Sequence, residues 1–402
     1  MHVSDLSLED FRSYRRLVVS LEPGVTALIG PNGQGKTNLI EAVDYLSGLS
    51  SHRAGADTAL VRRAEPGGEQ PGGAVLRARV VHGRRPTVME LEIIAGRANR
   101  ARLNRGSVRP RDLLGVLRTV LFSPEDLALV REEPAGRRRL LDDLAVTLRP
   151  ALAGVRAEHD KILAQRAGLL RSARAARTPT ASMLSTLEVW DAQLAAAASR
   201  LIAARVDVVE RLRPWVAGAY GAVSADPSPA FIAYRSSLAL HEGAPEPGPR
   251  AGGDRPEVEA GLADAGATAA RLEAAMGALR AREIDRGANL VGAHRDDLSL
   301  FLGPLPARGF ASHGEQWSLA LALRLASYEM LRHDVDAYGG DGEPVLLLDD
   351  VFSSLDDARR RALARLVAGA QQALVTAASE HDVPGELTGA RWRVNGSELS
   401  RE

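Results

Sequence analysis

The chain carries Val25-Thr26-Ala27-Leu28-Ile29 and then Gly30-Pro31-Asn32-Gly33-Gln34-Gly35-Lys36-Thr37. The first stretch has the branched, apolar composition of a short buried strand. The second fits the pattern of Gly, four residues, then Gly-Lys-Thr. Beyond it, Leu39, Ile40, Val43 and Leu46 share one helical face, so a helix is expected to follow the loop. Strand, glycine-rich loop and helix in that order make a phosphate cradle. Gly30, Gly33 and Gly35 admit backbone that a Cβ would block, and the backbone N–H groups of Asn32, Gly33, Gln34 and Gly35, Pro31 having none, turn toward the anion at the helix N-terminus. Lys36 is expected on the β- and γ-phosphates and the Thr37 hydroxyl on Mg²⁺. A compact ammonium suits this place where a planar guanidinium does not. The residue type is the more telling because 49 of the 51 basic residues are Arg.

A second half of such a site lies far along the chain. Pro344-Val345-Leu346-Leu347-Leu348-Asp349-Asp350 reads as a buried parallel strand delivering two carboxylates at its C-terminal end, where α/β sheets place their chemistry. Asp349 is expected to hold Mg²⁺ and Asp350 to position or polarise the attacking water. Between the two halves runs Phe310-Ala311-Ser312-His313-Gly314-Glu315-Gln316-Trp317, followed by an Ala/Leu-rich helix to about Leu331. Ser312 and Glu315 form an S-x-x-E capping box. Read alone, the segment is a capped buried helix. Beside a phosphate loop it offers a second anion-seeking helix end, a hydroxyl and the flexible Gly314.

Composition sets the remaining bounds. At 402 residues the chain suits two or three domains, and 45% apolar with 25% charged residues is ordinary for a globular protein. Basic and acidic residues both number 51, so only a local patch would carry nucleic-acid binding. With no Cys, disulfides, thiolate metal sites and Cys nucleophiles are excluded. No secretory pattern and no long apolar run is present, so the expectation is a cytoplasmic protein without membrane spans.

The order GPNGQGKT, SHGEQ, LLLDD, SSLD is similar to the ATP-binding-cassette ATPase heads of the SMC-like recombination proteins. Leu8-Glu9-Asp10-Phe11-Arg12-Ser13-Tyr14 resembles that group's first strand and nucleotide-facing turn. Phe122-Ser123-Pro124-Glu125-Asp126-Leu127, Arg137-Arg138-Arg139-Leu140-Leu141-Asp142 and Val291-Gly292-Ala293-His294-Arg295-Asp296-Asp297 are similar to segments of a DNA replication and repair member of the group. The resemblance implies an α/β fold: a P-loop ATP-binding-cassette ATPase head with a mixed sheet, interrupted by a mainly α-helical lobe. It implies ATP and Mg²⁺ as cofactors and an ATP-dependent homodimer, in which Ser312, Gly314 and Glu315 of one copy complete the P-loop site of the other. It further implies a weak, DNA-stimulated ATPase that acts on single-stranded DNA or a single/double-strand junction. The implied setting is recombinational repair, replication-fork maintenance and SOS induction, with recombination mediator proteins and a recombinase as partners. Phe11 and Tyr14 would lie near the base, and Arg12 would approach the phosphates. Asp350 stands where most such heads carry Glu, which implies slow hydrolysis. The late strand Ala373–Ala378 lacks a terminal His and His381 comes a few residues late, which leaves the γ-phosphate sensor unassigned. The competing readings are a regulatory or transport-associated cassette ATPase acting on a protein partner, and a non-cassette P-loop kinase. The long helical insertion speaks against the first; the second would need an acceptor site and a catalytic carboxylate much nearer in sequence to Lys36 than Asp349-Asp350, and neither is apparent.

These features divide the chain into a head's N-terminal part (1–120), a helical lobe with a short arm and a Pro/Gly-rich loop (121–289) and the head's C-terminal part (290–402). Pro150 and Pro214 are expected to break the lobe's helices. Glu65–Gly73 and residues 241–256 read as low-complexity loops. From Gly96 to Arg118, seven Arg (97, 100, 102, 105, 109, 111 and 118) face one acid, Asp112, for a local charge of +6, with Asn104-Arg105-Gly106 as a hairpin tip. Arg97, Arg100, Arg102, Arg105 and Arg109 are the candidate DNA contacts, along the phosphate backbone and without base stacking; a solvated Arg-rich face is the equal alternative. Arg137–Arg139 is expected to form local salt bridges with Glu132, Glu133, Asp142 and Asp143.

Overall fold

In chain order the strands are β1 (His2–Phe11), β2 (Tyr14–Ser20), β3 (Gly24–Ile29), β4 (Gly73–His82), β5 (Arg85–Ile94), β6 (Arg100–Leu103), β7 (Gly106–Val108) and β8 (Thr119–Phe122). They continue with β9 (Ala230–Arg235), β10 (Asp297–Leu302), β11 (Leu305–Pro306), β12 (Val345–Asp349), β13 (Gln372–Ala377), β14 (Gly389–Asn395) and β15 (Glu398–Arg401). They belong to a computed structural model that describes residues 1–64, 68–176, 179–224, 228–249, 256–335 and 342–401. Of the two low-complexity loops, residues 65–67 and 250–255 lie outside the described residues.

The chain divides into two compact units, one of Met1–Leu127, Ala219–Asp226 and Trp317–Glu402, the other of Ala128–Gly218 and Pro227–Gln316. The first unit holds two six-stranded sheets. One is antiparallel, in the order β2-β1-β4-β5-β6-β7. The other is mixed, in the order β15-β14-β3-β13-β12-β8, with β14, β3, β13, β12 and β8 parallel and β15 antiparallel at the edge. The helix Lys36–Gly48 shares one core with both. Its stripe of Leu39, Ile40, Val43 and Leu46 is fully buried, together with Val3, Leu6 and Leu8 of β1 and Leu28, Leu347 and Leu374 of the mixed sheet. β12 and β13 are buried at every position, which is why they read as near-continuous apolar runs rather than as alternating ones.

The second unit is built on the helices Ala135–Leu148, Leu152–Ala175 and Ala265–Arg286, most of the helix Ala181–Val223 and the three-stranded sheet β11-β10-β9. Pro150 separates two helices as expected, but Pro214 sits inside Ala181–Val223. One lost backbone bond is tolerated there because apolar side chains stay buried on both sides of it, Val209 and Leu212 before and Val216 after. The unit also takes in residues 290–316, which the sequence reading grouped with the head, because β10 pairs in full with β9.

Buried ion pairs organise this unit. Arg166, fully buried, donates to Asp191 and Glu283 at 2.6 Å and to Asn289 at 2.5 Å. Arg205 forks onto Asp142, and Asp296 accepts from the Tyr234 hydroxyl and from Ser237. Burial raises the pKa of Asp296. Arg137 pairs with Asp297, 160 residues away, and Arg138 donates to the Asp296 carbonyl, while Arg139 pairs locally with Asp143. The expectation of local bridges thus holds for Arg139 and is corrected for Arg137 and Arg138, because β10 brings the Asp296-Asp297 pair to this helix. Among the described residues no helix is long and apolar enough to cross a membrane.

Candidate nucleotide-binding site

The loop after β3 has the geometry that its glycines predict. Gly35 caps the helix at φ 108°, and a Cβ there would press on Ser13, the Tyr14 hydroxyl and Ser397 at 3.0–3.2 Å. At Gly30 a Cβ would sit 2.2 Å from the Val394 carbonyl oxygen of β14, a contact no side chain tolerates. Pro31, Asn32 and Gly33 are exposed, and Lys36 is buried. The Lys36 ammonium donates to the carbonyls of Gly30 (2.5 Å) and Pro31 (2.9 Å). Burial lowers its pKa, while the charges of Asp350 and Asp349 pull the other way.

Asp349 ends β12, which β13 separates from β3. Its Oδ1 nevertheless accepts from Thr37 Oγ1 at 2.9 Å, a bond spanning 312 residues that joins the two halves read from the sequence. The same Oδ1 accepts from Thr376 Oγ1 at 2.8 Å, and Thr376 Oγ1 accepts the Asp350 N–H at 2.9 Å. Asp350 has φ 52°, and its Oδ1 is buried without a hydrogen-bond partner. One hydroxyl and two carboxylates, one of them with an orphaned oxygen, fit Mg²⁺, which takes one or two carboxylates and completes its shell with phosphate and water. Thr37 and Asp349 are the residues that would hold it.

The structure gives several residues around the loop other roles than the sequence reading did. Phe11 and Tyr14 are fully buried rather than open to a base, and the Tyr14 hydroxyl supports the loop from below by donating to the Gly35 carbonyl at 3.1 Å. Burial raises the Tyr14 pKa, so the donor proton is kept. Arg12 gives its fork to Glu41 (2.6 and 2.8 Å) and a third bond to the Ala59 carbonyl at 2.9 Å. The turn of the β14–β15 hairpin grips Gln34: the Gly396 N–H donates to its side chain at 2.6 Å and the Ser397 N–H to its carbonyl at 3.1 Å. His381 is exposed in a short turn, Glu380–Asp382.

The capping box forms as read. Ser312 N–H donates to Glu315 at 2.6 Å, Glu315 N–H donates to the Ser312 hydroxyl at 3.4 Å, and the helix runs His313–Arg332. Gly314 lies in its first turn. Arg131, which sequence reasoning passed over, donates to Gln316 at 2.5 Å and also bonds the His313 ring.

The arginine ribbon is altered by folding. Asn104 and Arg105 make the hairpin tip, with φ 48° and 73°. Arg102 pairs with Glu90 (3.0 Å) and Arg100 with Glu92 (3.9 Å) on neighbouring β5, and Arg109 is bound by Asp112. Arg118 is fully buried against Asp334 at 2.7 Å. The local charge of +6 is therefore corrected downward, since a count along the chain omits the cross-strand acids. Arg97, Arg105 and Arg111 remain exposed, and Arg100, Arg102 and Arg109 keep most of their surface open despite their ion pairs.

These features define a P-loop ATPase head of the cassette kind with an inserted helical lobe. The chain belongs to the RecF family: residues 2–385 match the family described as the RecF/RecN/SMC N terminal domain, and full-length relatives agree. It is 56% identical over 406 residues to the DNA replication and repair protein RecF of Beutenbergia cavernae, and 54% identical over 403 residues to that of Frankia alni, each match covering 100% of both chains. In fold it is similar to the solved recombination mediator protein RecF-ATP in the RecFOR pathway, with TM-score 0.79 and 23% identity, covering 100% of this chain and 99% of the other. It also resembles the SMC head bound to the C-terminal winged-helix domain of ScpA, with TM-score 0.55 and 15% identity, covering 100% and 98%.

Proposed function

We propose that this chain is an ATP-dependent DNA-binding protein of recombinational repair and replication-fork maintenance, working in the cytoplasm at single-stranded gaps or single/double-strand junctions. The observation that carries the reading is the bond from Thr37 to Asp349, which assembles a phosphate loop, a metal-binding hydroxyl and two carboxylates in one place. ATP binds with its phosphates on Gly30–Thr37, and Mg²⁺ rests on Thr37 and Asp349. Arg12 acts on this loop at one remove, bracing the helix through Glu41. Asp350 orients the attacking water, and its short side chain makes hydrolysis slow.

The Ser312–Gln316 segment supplies a capped, positive helix end and the flexible Gly314 to the nucleotide of a second copy, so ATP joins two heads and hydrolysis parts them. Ser312, Gly314 and Glu315 are then catalytic from across the dimer. DNA engages the closed dimer and stimulates a weak ATPase. Arg105 at the β6–β7 tip and Arg97 in the β5–β6 turn are its most available phosphate contacts, with Arg100, Arg102 and Arg109 also paired to acids. Recombination mediator proteins and a recombinase are the partners, and SOS induction follows from recombinase loading.

Static light scattering with and without ATP tests the reading, using Lys36→Met and Asp350→Asn beside the unaltered chain. Lys36→Met should remain monomeric with ATP. Asp350→Asn should dimerise, release phosphate at least tenfold more slowly and stay longer on DNA. An ATP-induced dimer unchanged by Lys36→Met, or normal turnover by Asp350→Asn, overturns the assignment.

A further inference from the structure

We infer that Thr376 is a positioning residue for the metal-nucleotide site, standing on the strand whose end lacks a His. The inference rests on the nucleotide reading above and adds to it a residue that no loop motif contains. Thr376 is buried next to the C-terminal end of β13, between β3 and β12, with Leu28 beside it on one strand and Asp349 on the other. Its hydroxyl does two things at once. It donates to Asp349 Oδ1 at 2.8 Å and accepts the Asp350 N–H at 2.9 Å.

Each bond fixes one carboxylate. Asp349 Oδ1 already receives Thr37 Oγ1 at 2.9 Å, so both hydroxyls converge on a single oxygen and leave Oδ2 without a protein donor among the described contacts. That division orients the carboxylate, with one oxygen tied to the protein and the other open to a hard cation. Asp350 is a non-glycine residue at φ 52°, a conformation that persists only where surrounding bonds hold it. The Thr376 oxygen is the acceptor for its N–H, and the Ser353 hydroxyl donates to its carbonyl at 2.8 Å. Held this way, Asp350 keeps Oδ1 buried and unpartnered. Remove the threonine oxygen and the Asp350 N–H is buried without an acceptor, so the turn relaxes and the carboxylate moves. The phosphate loop touches none of these bonds except through Thr37, so nucleotide binding without metal is preserved.

The test compares Thr376→Val, which keeps the shape and loses the hydroxyl, with Thr376→Ser, which keeps the hydroxyl, and with Lys36→Met as a nucleotide-binding control. Affinity for a fluorescent ATP analogue is measured with Mg²⁺ and with EDTA, and turnover at saturating ATP is measured alongside. Thr376→Val should bind within about twofold of the unaltered chain in EDTA, lose at least fivefold of the gain that Mg²⁺ confers, and turn over at least tenfold more slowly. Thr376→Ser should recover both within about threefold. An undiminished Mg²⁺ gain in Thr376→Val overturns the inference, as does equal loss of binding with and without Mg²⁺, which marks a merely structural residue. Should Lys36→Met bind the analogue as well as the unaltered chain, the nucleotide reading itself fails, an outcome separate from any result at Thr376.

Discussion

Replacing Glu41 by Gln removes one negative charge from the helix that follows the phosphate loop and alters nothing in shape. Glu41 is fully buried and accepts from Arg12 at 2.6 and 2.8 Å and from Ser51 at 2.5 Å, with Arg53 3.6 Å away. Burial alone would raise its pKa. The hydrogen bonds of Arg12 and Ser51 and the charges of Arg12 and Arg53 outweigh that and hold the carboxyl below its ordinary value of 4.5. Glutamine keeps one acceptor but turns an N–H₂ toward donors, so a charge-assisted fork becomes a partly mismatched contact. Bonds to charged groups contribute about 1.5–3 kcal/mol each, and cutting one buried pair costs about 3–5 kcal/mol. Because Arg12 is 19% exposed and regains some water, the expected loss is toward the lower end, about 2–3 kcal/mol. At about 2–4 °C per kcal/mol for a unit of this size, the melting point falls by roughly 4–12 °C.

The pH dependence follows from the depressed carboxyl. Its contribution is fully present above the unfolded value near 4.5 and is lost as pH falls through the lower folded value, so unaltered and variant chains converge in acid. Urea unfolding at pH 7 and again near pH 3 reads this directly. Equal midpoints at pH 7, or a gap that survives undiminished in acid, would refute the reasoning.

Other perturbations separate the parts of the site. Ser312→Arg should leave nucleotide binding by the single chain intact and block ATP-induced pairing; loss of binding in the monomer would show that Ser312 does not act on a second copy. Arg97→Glu with Arg105→Glu should weaken DNA binding several-fold and flatten its salt dependence, whereas Arg100→Glu with Arg102→Glu, which also breaks the pairs with Glu92 and Glu90, should cost mainly stability. Filter binding across a salt series checks both, and equal losses of DNA affinity would dissolve the distinction. Arg166→Met should destabilise the helical unit by about 3–5 kcal/mol, since it leaves Asp191 and Glu283 buried without it, while nucleotide affinity holds. Calorimetry and analogue binding on one sample decide this.

What the sequence determined by itself was whatever contiguous residues determine. The phosphate loop, its helix stripe, the Ser312–Glu315 box and the Asn104-Arg105 tip are short-range geometries, set by backbone freedom and by side chains three or four positions apart. The acid-bearing strand was legible too, because burial on both faces leaves a continuous apolar run. Tertiary structure alone decided the rest. Thr376 and Tyr14 give no local sign of the oxygens they hold, the Gly396-Ser397 turn meets Gln34 across 362 residues, and Glu41 claims the arginine expected at the phosphates. Glu90 and Glu92 oppose Arg102 and Arg100 only through strand register, and Asp334 meets the buried Arg118 only once the chain is folded. The physical reason is common to all of them. A hydrogen bond or ion pair depends on atoms a few ångströms apart, and separation along the chain carries no record of which distant partner the fold will bring there.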